Sequence, residues 1–230
     1  MRWLSIPFLL LLVCFTVPTR LKPYPIKWKP IEVGDYTLDF PPDFILTPLK
    51  GIDSYVGKID GDSIHFKFDF GYYSPAFGKT PQEYLKQGYW KMEAGYRFMK
   101  RWGKYSDSNW PQVEVLSVRP AVKEDSTLGS GCDYVARCKH KNKQFDYAIF
   151  LPEETKEYNF EVDSSRFYRK IVLAKDPQIG ASGLYIRELT QSNKSINSYL
   201  ALSVFTTKLT KTQQALVVDI FKTARLTHKK

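Results

Sequence analysis

The chain has 230 residues, a formal charge of +10, and a composition of 43% hydrophobic and 15% aromatic residues. This excludes a disordered or low-complexity chain, and the length suffices for one domain with a sizeable core. The lysines are scattered, as on ordinary solvated surface, so the charge does not by itself favour nucleic acid as a partner.

Arg2 precedes an apolar run over residues 3–17, interrupted by Ser5, Pro7 and Thr16. A positive start followed by an apolar stretch is the pattern of a secretory signal. The run is shorter than the ~20 residues of a membrane span. Residues 1–18 therefore read as a signal peptide or a membrane anchor, and the rest of the chain as exported. Cys14 follows Leu-Leu-Val, a loose version of a bacterial lipobox with Val13 where a small residue belongs, so lipidation at Cys14 is a third reading. Residues 19–34 carry Pro23, Pro25 and Pro30 and read as an extended Pro/Lys-rich linker. A single domain is expected over 35–227.

Its first element is a strand, YTLDF at 36–40, stopped by Pro41-Pro42. A hairpin follows, with 52–59 and 62–70 flanking Asp60-Gly61 as a two-residue turn. That register sets Ile59 against Asp62, Gly57 against Ile64, Tyr55 against Phe66 and Asp53 against Phe68. Thr80-Pro81-Gln82-Glu83 is a capping box that starts a helix. Leu85, Tyr89, Met92, Tyr96 and Met99 form its apolar stripe, and Gly103 its stop.

A second hairpin is predicted over 132–151 with Asn142-Lys143 at the turn. It pairs His140 with Phe145, Cys138 with Tyr147, Ala136 with Ile149 and Tyr134 with Leu151, and sets Lys139 against Asp146. Strands are expected near 112–118, 157–162, 167–174, 183–190 and 198–206. A final helix, about 211–224, opens with a capping box over 210–213 and buries Leu216, Val217, Ile220, Phe221 and Ala224. Many strands with separated helices make an α+β domain: a mainly antiparallel sheet with helices packed on it, like an αβα sandwich.

YTLDFPPDF and the closing YLALSVFTTKLTKTQQALVVDIFKTARL resemble the opening and ending of PsbP/Mog1-like domains. The resemblance implies an antiparallel sheet between helices and a binding or assembly role without catalysis. It covers about fifty residues and carries no functional residue over. The middle, GIDSYVGKIDGDSIHFKFDFGYYS, looks more like exported bacterial proteins of uncharacterised function.

Cys132 and Cys138 lie six residues apart, ~20 Å along a strand, whereas a disulfide needs Cα atoms ~5.5 Å apart. Two buried thiols are the leading reading. A disulfide across an intervening turn and a metal site with His140 are the alternatives, though C-x5-C-x-H is not a usual zinc spacing. His65 falls on a polar face and His228 in a charged tail. Asp53 is the candidate functional carboxylate, placed by the register on an apolar face, where burial would raise its pKa. The competing role is a strand-end Asp bonded to nearby backbone.

Residues 96–110 interleave aromatic and basic side chains. Arg97, Arg101, Trp102, Tyr105 and Trp110 are the candidate binding residues, suited to an anionic lipid or a glycan. Basic residues in a helix's last turns also complement its dipole. Lys139, His140, Lys141 and Lys143 read as a solvated hairpin tip, and Asn193-Lys194-Ser195 matches a glycosylation acceptor. No cofactor or catalytic motif is present. The sequence points to a periplasmic or envelope-attached binding or assembly module with an envelope protein as partner. A hydrolase using Asp53 or Asp69, or direct binding of anionic lipid or glycan, is the alternative.

Overall fold

The structure, a computed structural model, describes residues 27–102, 112–176, 178–193 and 198–227. The signal or anchor segment with Cys14, most of the linker, Tyr105, Trp110 and His228 lie outside the described residues.

Apolar residues alternate through Ile31 and Val33, then through Tyr36, Leu38 and Phe40, and both segments are strands. β1 (Lys29–Val33) and β2 (Tyr36–Phe40) form an antiparallel hairpin. The end of the expected linker thus belongs to the fold: Val33 is fully buried and Ile31 nearly so. Next come β3 (Ile45–Leu49), β4 (Tyr55–Asp60) and β5 (His65–Gly71), then helices α1 (Pro81–Gln87) and α2 (Trp90–Trp102). The chain continues with β6 (Glu114–Pro120), β7 (Tyr134–His140) and β8 (Lys143–Ile149). After the short α3 (Glu153–Lys156) come β9 (Tyr158–Asp163), β10 (Tyr168–Ala174), β11 (Ser182–Asn193) and β12 (Ser198–Thr206). α4 (Lys211–Lys222) and β13 (Arg225–Leu226) close it.

Among the described residues this is an α+β fold of three antiparallel sheets and four α-helices. The largest sheet has seven strands in the order β3-β4-β5-β12-β11-β10-β9. One of its faces, carrying Ile59, Phe66, Ile171, Leu184 and Leu202, is covered by the β1-β2-β13 sheet and α4. Thr210 caps α4, and Gln213 completes the capping box. Val217, Ile220 and Phe221 are fully buried, each contributing ~1.5–3 kcal/mol by leaving water.

The first hairpin is wider than predicted. Asp60 pairs with His65, so Tyr55 faces Phe70, Gly57 faces Phe68 and Ile59 faces Phe66. The wider loop turns Ile64 into the core at 3% exposure and lets Gln213 donate to the Ser63 carbonyl at 3.2 Å. The shift is even, so each side chain keeps its face. The second hairpin shifts likewise: His140 pairs with Lys143 and Arg137 with Asp146. Lys141 takes a positive φ of 50° at the turn. The partner of Asp146 is therefore Arg137, at 3.2 Å, and Lys139 pairs with Glu114 at 3.7 Å.

The helix predicted from residue 80 is two helices. Gly88, at φ 71°, caps α1 in the left-handed conformation that glycine adopts without steric cost. The break resets the helical phase, so α2 buries a different stripe. Tyr89 and Met92 are exposed, and Trp90, Ala94 and Phe98 are buried instead. They pack on Ala136, Cys138, Phe145, Tyr147 and Ile149 of β7 and β8, forming a second hydrophobic cluster apart from the main core.

Candidate functional site

With Trp90, Ala94 and Phe98 turned to the β7-β8 hairpin, basic residues of α2 flank that contact. Arg97, Lys100, Arg101 and Trp102 line a cleft of about 350 Å³ whose other walls include Phe145, Asp146 and Tyr147. The Arg97 guanidinium lies 5.4 Å above the Tyr147 ring and pairs with Glu93 at 3.4 Å, one turn back. Arg101 stacks at 4.7 Å on Trp102, and Lys143, from the hairpin tip, reaches the same indole at 5.6 Å. Trp102 itself rests on Phe98 and Phe145, with ring centroids at 5.1 and 5.6 Å.

This arrangement fixes planar cations on aromatic faces, with Arg97 also paired to Glu93. Asp146, the one carboxylate among the lining residues, is engaged by Arg137. Among the described residues, no carboxylate pairs with Lys100, Arg101 or Lys143. The structure therefore brings together three of the sequence-predicted residues, Arg97, Arg101 and Trp102, and adds Lys100 and Lys143. Tyr105 and Trp110 fall on residues 103–111, which are not described.

The other candidates separate. Asp53 is exposed in a bend before β4. The buried position expected from the two-residue turn does not exist, because the real register ends the pairing at Tyr55. Asp69 accepts a hydrogen bond from the Ser74 hydroxyl at 3.1 Å. Cys132 and Cys138 are free thiols in the structure, not a disulfide, and of the two expected buried thiols only Cys138 is buried, Cys132 being partly exposed. Cys132 sits in a turn before β7, its amide donating to the Gly129 carbonyl at 3.3 Å. Cys138 is fully buried, and that burial pushes its thiol up to about 11. His140 bonds the Gln112 carbonyl at 3.2 Å, and no group of three potential metal ligands exists among the described residues.

Sequence reasoning missed a polar cluster under α1. Lys170, on β10, is 1% exposed. Its ammonium donates to the Gly78 carbonyl at 2.7 Å and to Glu83 Oε2 at 3.1 Å. Glu83 also accepts from the Tyr168 hydroxyl and, at 2.8 Å, from the Thr80 amide. Burial alone would raise the Glu83 pKa. The hydrogen bonds from Tyr168 and Thr80, with the nearby Lys170, outweigh it and hold the carboxylate below its ordinary value. Lys170 is held below its ordinary value, because desolvation of the ammonium exceeds the attraction of Glu83.

No protein-family model matches the chain, and no curated protein matches it.

Proposed function

We propose that the protein is an exported, non-catalytic binding module of the cell envelope that holds an anionic group in the α2 cleft. The observation that carries this reading is the cation set Arg97, Lys100 and Arg101, lined up with Trp102 around one cleft with no unengaged carboxylate among its lining residues. A phosphate, sulfate or carboxylate entering it meets planar guanidinium donors suited to bidentate contacts. The likeness of the terminal segments to PsbP/Mog1-like domains favours an assembly role. The apolar stretch at residues 3–17 favours export. The hydrolase alternative has less support, since neither Asp53 nor Asp69 lines the cleft.

The test is binding of the full chain to a sulfated glycan and to phosphatidylglycerol vesicles at increasing sodium chloride. Affinity for one of them falls steeply with salt, and Arg97→Glu with Arg101→Glu weakens it at least roughly tenfold. Binding that survives both substitutions, or ignores salt, refutes the proposal. Preference for glycan or vesicle identifies the source of the anion.

A further inference from the structure

The face of the seven-stranded sheet opposite α4 holds two pockets that share one wall. The first, about 420 Å³, is apolar: Phe77, Val172, Gly183 and Phe205 form its sides and Ala181 lies at its lining. The second, about 480 Å³, is lined by Lys79, Lys86, Glu83 and Lys170. Gly78 lines both, and its carbonyl oxygen is 2.7 Å from the Lys170 ammonium. The polar cluster under α1 therefore stands where an apolar pocket meets a basic one.

The junction leaves little spare space. Phe77 adopts φ 49°, a left-handed conformation that costs a phenylalanine energy. Its ring packs edge-on to Phe205 at 5.8 Å. It also comes so close to Gly183 that a β-carbon there would meet it at 2.9 Å. Strain of this kind persists where the surroundings enforce it, and here it keeps an aromatic wall over a bare stretch of β11.

We propose that the two pockets form one site for a single-chain amphiphile of the fatty-acid class. The aliphatic chain occupies the Phe77–Phe205 pocket, and the carboxylate head lies beside Lys170, Lys79 and Lys86. Three features argue for this occupant. The walls of the first pocket are apolar, and cavities of this size bury small ligands well. An ammonium has three donors. Gly78 and Glu83 accept two of those of Lys170, and the third meets no acceptor among the described residues. Lys79 and Lys86 have no carboxylate partner among the described residues, so the basic pocket holds three ammonium groups against one carboxylate. Glu154, at the apolar pocket, repels a head placed there and so orients the ligand. This site is separate from the α2 cleft and does not rest on the function proposed for it.

The experiment is calorimetric titration of the full chain with decanoate, decanol and acetate, each below its aggregation concentration. Decanoate is expected to bind saturably at one site, decanol roughly tenfold more weakly, and acetate not measurably. Lys79→Ser with Lys86→Ser, both at solvent-facing lysines, reduces decanoate binding and leaves decanol binding unchanged. Ala181→Phe fills the tail pocket and removes both. A photoreactive diazirine decanoate gives a readout on the unaltered protein and is expected to label Phe77, Gly183 or Phe205. Equal binding of decanoate and decanol overturns the proposal, as does full binding by a folded Ala181→Phe variant. Labelling confined to the α2 cleft or spread over the surface overturns it as well.

Discussion

Replacing Glu83 by alanine is the perturbation that most directly tests how α1 is held to the large sheet. The carboxylate has three partners: the Thr80 amide at 2.8 Å, the Tyr168 hydroxyl, and the Lys170 ammonium at 3.1 Å. Loss of the cap alone costs ~1 kcal/mol. Leaving Lys170 charged, buried and without its counter-ion costs ~3–5 kcal/mol. These do not add fully, because the same side chain serves both and Glu83 is one-third exposed, which lets water replace part of what it gave. The expected total for Glu83→Ala is therefore about 3 kcal/mol in urea denaturation followed by circular dichroism.

The interaction with Lys170 has its own signature. In Glu83→Ala with Lys170→Met no buried charge remains, and the cost falls back towards 1–2 kcal/mol, roughly that of the cap and the Tyr168 hydroxyl. pH gives a further check. Without Glu83 the Lys170 pKa falls still further below 10.5. The unfolded chain then binds more protons, so the variant gains stability as pH rises from 7 to 9, by up to ~1.4 kcal/mol per unit. The gap to the parent protein narrows over that window. Strict additivity of the two substitutions, or a cost near 1 kcal/mol for Glu83→Ala, would show that Lys170 does not depend on Glu83 and refute the reasoning.

Three other outcomes are expected. Gly88→Ala keeps both helices but destabilises by ~1–2 kcal/mol, since alanine must take the φ of 71°; an unchanged melting temperature contradicts the left-handed cap. Iodoacetamide at pH 8 labels Cys132 in the native protein and Cys138 only after unfolding, because Cys138 is fully buried with its thiol pushed up to about 11; equal rates would refute this. Asp125 accepts two bonds from Arg119, at 2.6 and 2.8 Å, and one from the Val122 amide, which hold its carboxyl at about 2. Its contribution to stability is complete above pH 3.8 and lost as pH falls towards 2, so its carboxyl resonance titrates near 2 and an ordinary midpoint contradicts the geometry.

The range of each interaction decides whether it could be read from the sequence. Face assignment in both hairpins was correct although both registers were shifted, because a shift by an even number of residues leaves the alternation intact. The loop widths were not legible. Burial of Ile64 and its loop's bond to Gln213, far along the chain, decide the first, and the turn at Lys141-Asn142 the second. In the stripe over Leu85, Tyr89, Met92, Tyr96 and Met99, Leu85 and Met99 do pack on the second cluster, whereas Tyr89 and Met92, just past the break, are exposed. Once Gly88 ends α1, the phase before it carries no information about the phase after it. The basic-aromatic residues of α2 were legible as a group. Their dependence on Lys143 was not, since it arises only when the β7-β8 hairpin folds back against Trp102.

The two capping boxes extend this distinction between near and distant partners. Thr80 with Glu83, and Thr210 with Gln213, were readable because their chemistry closes within four residues. In both, the residue that completes the box has a second partner distant in sequence. Gln213 donates to Ser63, and Glu83 meets Lys170 and Tyr168. A helix start that also anchors a distant element links local helix formation to tertiary docking. Neither helix end can then fray without releasing what it holds: the first hairpin's loop under α4, and a buried lysine under α1. The consequence differs between them. Ser63 is at the surface and water can replace Gln213, whereas Lys170 is buried under α1 and water replaces only part of what Glu83 gives it. Loss of Glu83 therefore strips a buried charge of its partner as well as a helix of its cap, and the basic pocket beside it exists only while α1 stays docked.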